Sequence, residues 1–178
     1  MSARLPIRAD SKAFATIERR AGRLHKETCL GALARVYPMN TELVPTAVLE
    51  TVLYALDLEG AEAFYKDVLG LTPLARTEGR HVFFKLESQM LLIFNPDAVQ
   101  KPPAGRLPVP PHGAFGEGHV CFSATAAEID AWRQRLEERD VPIEADFEWP
   151  SGGRSLYFRD PAGNSVEFAE PRIWGLSA

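Results

Sequence analysis

The chain has 178 residues, a net charge of −4, and 25% charged against 46% hydrophobic residues. This is the composition of a globular protein with one cored domain or two small modules sharing a core, not of a disordered or membrane protein. No run nears the roughly 20 apolar residues of a membrane span, and no signal-peptide centre opens the chain. The two cysteines, Cys29 and Cys121, provide no disulfide framework, so a reducing, cytoplasmic setting is expected.

Up to Asn40 there are eight Lys/Arg against three Asp/Glu, which leaves an acidic body and argues against nucleic acid as the main partner. Residues 1–45 differ in pattern from the rest of the chain. Phe14, Ile17, Ala21 and Leu24 recur at helical steps behind a Ser11 cap. That extension reads either as a targeting or partner-binding helix, or as a loosely docked or poorly ordered terminus.

From residue 46 the pattern sharpens. VLETVLYAL alternates as a strand. Leu58, Ala61, Phe64, Tyr65 and Val68 then mark a helix face ending at Gly70, and GRHVFFKLES and QMLLIFNP read as adjacent strands. Residues 46–96 thus form a βαβββ module. Residues 95–118 hold six prolines and four glycines, so 97–117 is expected to be an irregular connector folded over a pocket. The order then repeats over 118–171: GHVCFSA, a helix with Ile129, Trp132 and Leu136 on one face, a strand pair near Ile143 to Glu148, and the hairpin GGRSLYFRDPAGNSVEF. Residues 172–178 are a tail, in which Trp174 would cap a cup or a dimer contact.

The second module is a copy of the first. Leu49-Glu50-Thr51-Val52 matches Gly118-His119-Val120-Cys121, Gly79-Arg80 matches Gly153-Arg154, and the run ending Asn95-Pro96 matches that ending Glu170-Pro171, with a turn one residue longer in the second copy. Successive strand residues face opposite sides. One parity collects Leu49, Thr51, Leu53, Val120, Phe122, Val166 and Phe168, which suit packing under helices. The other collects Glu50, Val52, Tyr54, His119, Cys121, Ser123 and Glu167, a mixed set suited to line a cavity.

Two glutamate carboxylates crowded on one concave face without a counter-charge would repel and drive one to protonate, whereas a divalent cation relieves both. Glu50, His119 and Glu167 therefore form a candidate site for a divalent ion, Fe, Mn, Zn or Ni, with open positions for substrate. The alternative is a satisfied core histidine, with the two glutamates paired to Arg154, Arg80 or a ligand. Tyr157, His81 and Tyr54 share the cavity parity and serve either substrate and proton transfer or packing. His112 is either delivered to the cup by the connector or left in solvent. Cys121 is a nucleophile, a ligand or a small hydrophobe. Asp160 and Asn164 are assigned to the turn.

The runs LETVLYALDLEGAEAFYKDVLGL and GGRSLYFRDPAGNSVEF resemble the opening and closing motifs of the vicinal oxygen chelate superfamily, the glyoxalases, extradiol dioxygenases, fosfomycin-modifying transferases and bleomycin-binding proteins, over about Val48 to Glu170. The resemblance implies an α+β fold of two βαβββ modules closing a mixed sheet around a cup, usually in a homodimer. It also implies metal ligands on the first and last strand of each module, here Glu50, Leu92, His119 and Glu167. Leu92 cannot bind a metal, which leaves three ligands, with Tyr157 beside Glu167 in a catalytic role and Tyr54, His81, Leu92, His112 and Cys121 in the substrate wall. Loss of the fourth ligand counts against a glyoxalase, and Glu50 in a place where the family more often has histidine weakens a strict dioxygenase assignment. The expected function is metal-dependent chemistry on a small organic molecule with two vicinal oxygens. The alternative is a metal-free protein that binds a toxin or antibiotic.

Overall fold

The structure is a computed structural model that describes residues 44–102 and 107–177. The helix expected behind Ser11 lies outside those residues. The first module runs β1 (Glu50–Tyr54), α1 (Leu58–Asp67), β2 (Pro73–Thr77), β3 (His81–Lys85) and β4 (Met90–Phe94). The second runs β5 (His119–Ser123), α3 (Ala126–Glu138), β6 (Ile143–Glu148), β7 (Arg154–Arg159) and β8 (Ser165–Ala169). Each module forms a four-stranded mixed sheet, ordered β1-β4-β3-β2 and β5-β8-β7-β6, in which the first and last strands pair in parallel.

Local chemistry explains where the helices start. Asp57 accepts from the Gly60 N–H at 2.9 Å and caps α1. Thr125 and Glu128 form a reciprocal capping box on α3. The connector is not wholly irregular, as its composition suggested. Asn95 accepts from the Asp97 and Ala98 N–H groups, and Pro96 stands at the start of a one-turn helix, α2 (Pro96–Val99), where a missing N–H costs nothing.

The duplication holds bond for bond. The Met90 N–H donates to the Leu49 carbonyl at 3.0 Å and the Ser165 N–H to the Gly118 carbonyl at 2.9 Å. The Asn95 N–H donates to the Arg80 carbonyl at 2.9 Å and the Glu170 N–H to the Arg154 carbonyl at 3.1 Å. Even the strand irregularity recurs, at Pro73/Ala75 and at Ile143/Ala145.

The parity assigned from sequence is observed from Leu53 onward, whereas Leu49, expected to pack on the same side, is 73% exposed just before β1. Leu53, Val82, Phe84, Leu91 and Ile93 of the first sheet join Val120, Leu156, Phe158, Val166 and Phe168 of the second, with Ala61 and Tyr65 of α1 and Ile129 and Leu136 of α3, in one buried cluster. Each such large side chain contributes about 1.5–3 kcal/mol on burial. Trp132 stacks on Phe168 with ring centroids 4.4 Å apart, and Phe64 of α1 meets Phe158 across the module boundary at 6.3 Å. The helix-facing sides of both sheets thus close on a shared core, which leaves the other side of each sheet open.

The hairpin turn Asp160–Asn164 does more than turn. The Tyr65 hydroxyl of α1 donates to Asp160 Oδ2 at 2.9 Å, and Asp160 Oδ1 accepts from the Ala162 and Asn164 N–H groups. Asn164 accepts from the Gly118 N–H at 2.7 Å and donates to the Tyr54 carbonyl at 3.1 Å. Both residues are almost fully buried, so the turn is a polar joint between modules, and burial beside Asp160 holds the Tyr65 phenol far above its usual pKa. At the end of the chain, a 3₁₀ turn (Pro171–Trp174) leaves Trp174 exposed, capping nothing among the described residues. No helix among those residues is long and apolar enough to cross a membrane.

Candidate metal and substrate site

Ladder register brings the second module's polar residues together. Cys121 lies across from Glu167, which lies across from Tyr157, and His119 pairs with Ser165. All occupy the open side of the second sheet.

The contacts of His119 and Glu167 leave one carboxylate oxygen without a partner. His119 Nδ1 is 3.2 Å from the Ser165 carbonyl oxygen, and since a carbonyl only accepts, Nδ1 carries the proton. Nε2 then faces Glu167 Oε2 at 3.2 Å. Without a second proton on the ring, two acceptors would oppose each other there. Glu167 is 5% exposed, and its Oε1 is buried with no hydrogen-bond partner. A buried, half-satisfied carboxylate costs on the order of 1–3 kcal/mol unless something meets it. The geometry fits a divalent ion: an imidazole nitrogen and a carboxylate converge, and the far ring nitrogen is anchored to a backbone carbonyl, which sets the tautomer that a metal-binding histidine needs.

Neighbouring groups feel the same charge. Partial burial, and then the nearby Glu167 carboxylate, pushes the Tyr157 phenol up to about 12. Desolvation and Glu167 push the Cys121 thiol up to about 12, although the residue is exposed on its strand and is not the buried small hydrophobe that its sequence neighbours suggested. Such a thiol is a poor nucleophile. Neither arginine that the sequence offered as a partner reaches Glu167: Arg154 is held by Asp146 and Asp130, and Arg80 donates to the Ala98 carbonyl.

The first sheet's open side is different. Glu50 is exposed on β1, and among the described residues no three His, Cys, Asp or Glu side chains converge as a metal site would require. One chain therefore brings His119 and Glu167 together but does not add Glu50. Leu92, 6% exposed, stands opposite Val52 and Phe83, at the position that Glu167 holds in the second sheet. His112 is set beside Tyr54 by the connector and left exposed to solvent, so features of both alternatives are present. Its N–H donates to the Val99 carbonyl at 3.1 Å, its Nδ1 lies 2.9 Å from the Tyr54 hydroxyl, and its ring packs edge-on against Phe94 at 4.7 Å. Gly113 permits that approach, because its φ is +145° and a Cβ there would lie 2.9 Å from the Pro96 carbonyl oxygen. His81 stacks on Phe83 at 4.1 Å, with Nδ1 buried and unpartnered, and burial lowers its pKa.

At the module seam, Tyr54, Pro96, Phe115 and Pro161 line a cavity of about 320 Å³ whose walls include neither His119 nor Glu167. The connector does cover a pocket there, apart from the polar pair. Sequence reasoning also passed over Phe147 and Trp149, which stand on the open side of the second sheet. Their alternation with Ala145 in EADFEW was the available signal.

A family model described as Glyoxalase/Bleomycin resistance protein/Dioxygenase superfamily matches residues 47–168. Among solved structures, lactoylglutathione lyase from Agrobacterium tumefaciens is 50% identical, with a TM-score of 0.71 over 74% of this chain and 98% of that one. A glyoxalase/bleomycin resistance protein/dioxygenase from Nocardioides shares the fold at 22% identity and a TM-score of 0.59, over 72% of this chain and 85% of that one. A glyoxalase/dioxygenase from Nostoc punctiforme does so at 23% and 0.51, over 74% and 97%. With two βαβββ modules in register and a match that spans both, the chain belongs to the glyoxalase/bleomycin resistance protein/dioxygenase superfamily.

Proposed function

We propose that the protein is a divalent-metal-dependent enzyme of the cytoplasm that acts on a small organic molecule through two neighbouring oxygens. The observation that carries this reading is the orphaned Oε1 of Glu167 beside an Nε2 that faces the other oxygen of the same carboxylate. Fe, Mn, Zn or Ni suits one imidazole and carboxylates. When bound, the ion would polarise the substrate's oxygens as a Lewis acid. The third donor, Glu50, does not converge with the pair inside one chain, so the reading includes a homodimer in which Glu50 of a second copy completes the set.

The chain's own residues then divide the work. His119, anchored through Ser165, and Glu167, fixed between β5 and β7, hold the donors still. Tyr157 presents a hydroxyl beside Glu167 for hydrogen bonding or proton transfer to substrate. Tyr54, His112, His81 and Leu92 form the wall of the first sheet and would orient the rest of the substrate, while Cys121 borders the donors. Leu92 in place of a carboxylate keeps the donor set at three and sets the chain apart from a four-donor glyoxalase. The likeness to the Agrobacterium lactoylglutathione lyase nevertheless makes lactoylglutathione the first compound to assay.

The test is metal analysis of the full chain purified without chelator, with its mass in solution. Expected are a stoichiometric ion and a dimer, with the ion lost in His119→Ala and in Glu50→Ala. A wild-type protein without metal sinks the reading and leaves the metal-free binding protein, for which the aromatic wall of Phe83, Phe94 and Tyr157 would serve.

A further inference from the structure

The open side of the second sheet carries a row of rings leading away from the polar pair. Phe147, across from Ser155 on β6, lies parallel to Tyr157 with centroids 6.0 Å apart, and Tyr157 lies 6.3 Å from the His119 ring at 23°. Trp149 ends the row 5.0 Å from Phe147. Its indole N–H donates to Ser155 Oγ at 2.8 Å, and Ser155 is wholly buried. The indole is thus pinned in place, yet Phe147 and Trp149 remain 40% and 38% exposed. Large rings fixed in orientation and left open to water next to a converging polar pair have the make-up of a ligand wall.

The duplication supplies the control. By the same register, in which Thr77 lies across from His81 as Phe147 lies across from Ser155, the first module has Thr77 at the position of Phe147, and its shorter turn from β2 to β3 has no counterpart of Trp149. The first module folds its outer strand with the same irregularity and without the rings. The fold therefore does not demand them, and they stand only on the sheet that holds His119 and Glu167.

We propose that Phe147 and Trp149 form an aromatic ledge that binds the flat apolar end of the substrate while its oxygens lie at His119 and Glu167. Two ring spacings separate Phe147 from the imidazole, so the ligand class is elongated, with vicinal oxygens at one end and an aromatic ring at the other. The placement of the oxygens rests on the metal reading above, and the ledge itself does not.

The full chain, labelled with ¹⁵N, is titrated with 2-hydroxy-4-phenylbutanoate and with lactate, both as purified and after zinc loading. These two acids share the vicinal oxygen pair and differ in the ring. The readout is the Trp149 indole N–H resonance, assigned with Trp149→Phe. A saturable shift with the phenyl acid in both forms, none with lactate, and about tenfold weaker binding in Phe147→Ala support the ledge. An unmoved indole resonance, equal shifts with lactate, or undiminished binding in Phe147→Ala overturns it. So does a change in the solution mass of Phe147→Ala, which would assign the rings to a contact between copies. Metal content of the same samples judges the metal reading separately, since a shift that persists in protein unable to take up zinc removes that reading and keeps the ledge.

Discussion

The two modules are the same scaffold with opposite contents. Their inner ladders, bulges and closing hydrogen bonds correspond, yet Glu50 stands where the second module has His119, Leu92 where it has Glu167, and Phe83 where it has Tyr157. The first sheet's open side is an aromatic and histidine wall. The second concentrates the acid, the imidazole and the hydroxyl. After a duplication the backbone constrains both copies alike, because every strand must still bury its helix-facing side, while the open side is free to diverge.

The turns differ most. The first module's turn closes with the Leu86 N–H on the Gln89 carbonyl and has no buried carboxylate, whereas the Asp160–Asn164 turn joins both modules. Asp160→Ala strands the Tyr65 hydroxyl and two backbone N–H groups, and is expected to cost about 4 kcal/mol in urea unfolding. A double substitution with Tyr65→Phe should cost less than the sum of the singles, since the hydroxyl and carboxylate share a bond. Additive costs would break the joint.

Leu92→Glu sharpens the contrast of the open sides by giving the first sheet the second's carboxylate. Buried among Val52 and Phe83, the new acid should destabilise metal-free protein by about 2 kcal/mol. Added metal should recover that loss if the first sheet contributes to the metal site, as measured by thermal unfolding with and without zinc.

The modules also tie helix to outer strand with reversed charge. Asp146 of β6 accepts from Arg154 Nε at 2.6 Å and from Arg133 of α3, and chiefly the Arg154 hydrogen bonds hold its carboxyl down at about 2. A carboxyl lowered on folding stabilises above its unfolded pKa, near 3.9, and that contribution is lost as pH falls through the folded value. Wild-type stability should therefore drop between about pH 4 and pH 2 more steeply than that of Asp146→Asn, which should itself lose about 2 kcal/mol at pH 7. Parallel acid-unfolding curves would remove Asp146 from the account. The first module's counterpart, Arg76 with Glu62 at 2.9 Å, has an arginine side chain 48% exposed. Arg76→Ala is the smallest expected effect, under about 1 kcal/mol at low salt and vanishing in high salt.

Much of this was legible in the chain because it is local. Strand parity put Leu53, Val166 and Phe168 inside and Tyr54, His119 and Glu167 outside, since the pleat alternates whatever the strand packs against. Offsets between matching residues make Leu92 the counterpart of Glu167, because a duplicated backbone repeats its register. The joint at Asp160 was read only as a turn, since nothing in DPAGN says that Tyr65, ninety-five positions earlier in the chain, is its partner. Phe147 and Trp149 were passed over because alternation alone does not tell an open wall from a packed one.

Sequence alone determined the two βαβββ repeats, their register, and the side of each strand that each residue takes, because these follow from periodicity within a few residues. Only the tertiary structure decided that the helix-facing sides share one core, that His119 and Glu167 face each other with an oxygen left over, and that Glu50 does not join them within the chain. Those are properties of how two sheets pack, and packing depends on side chains far apart in sequence meeting in space.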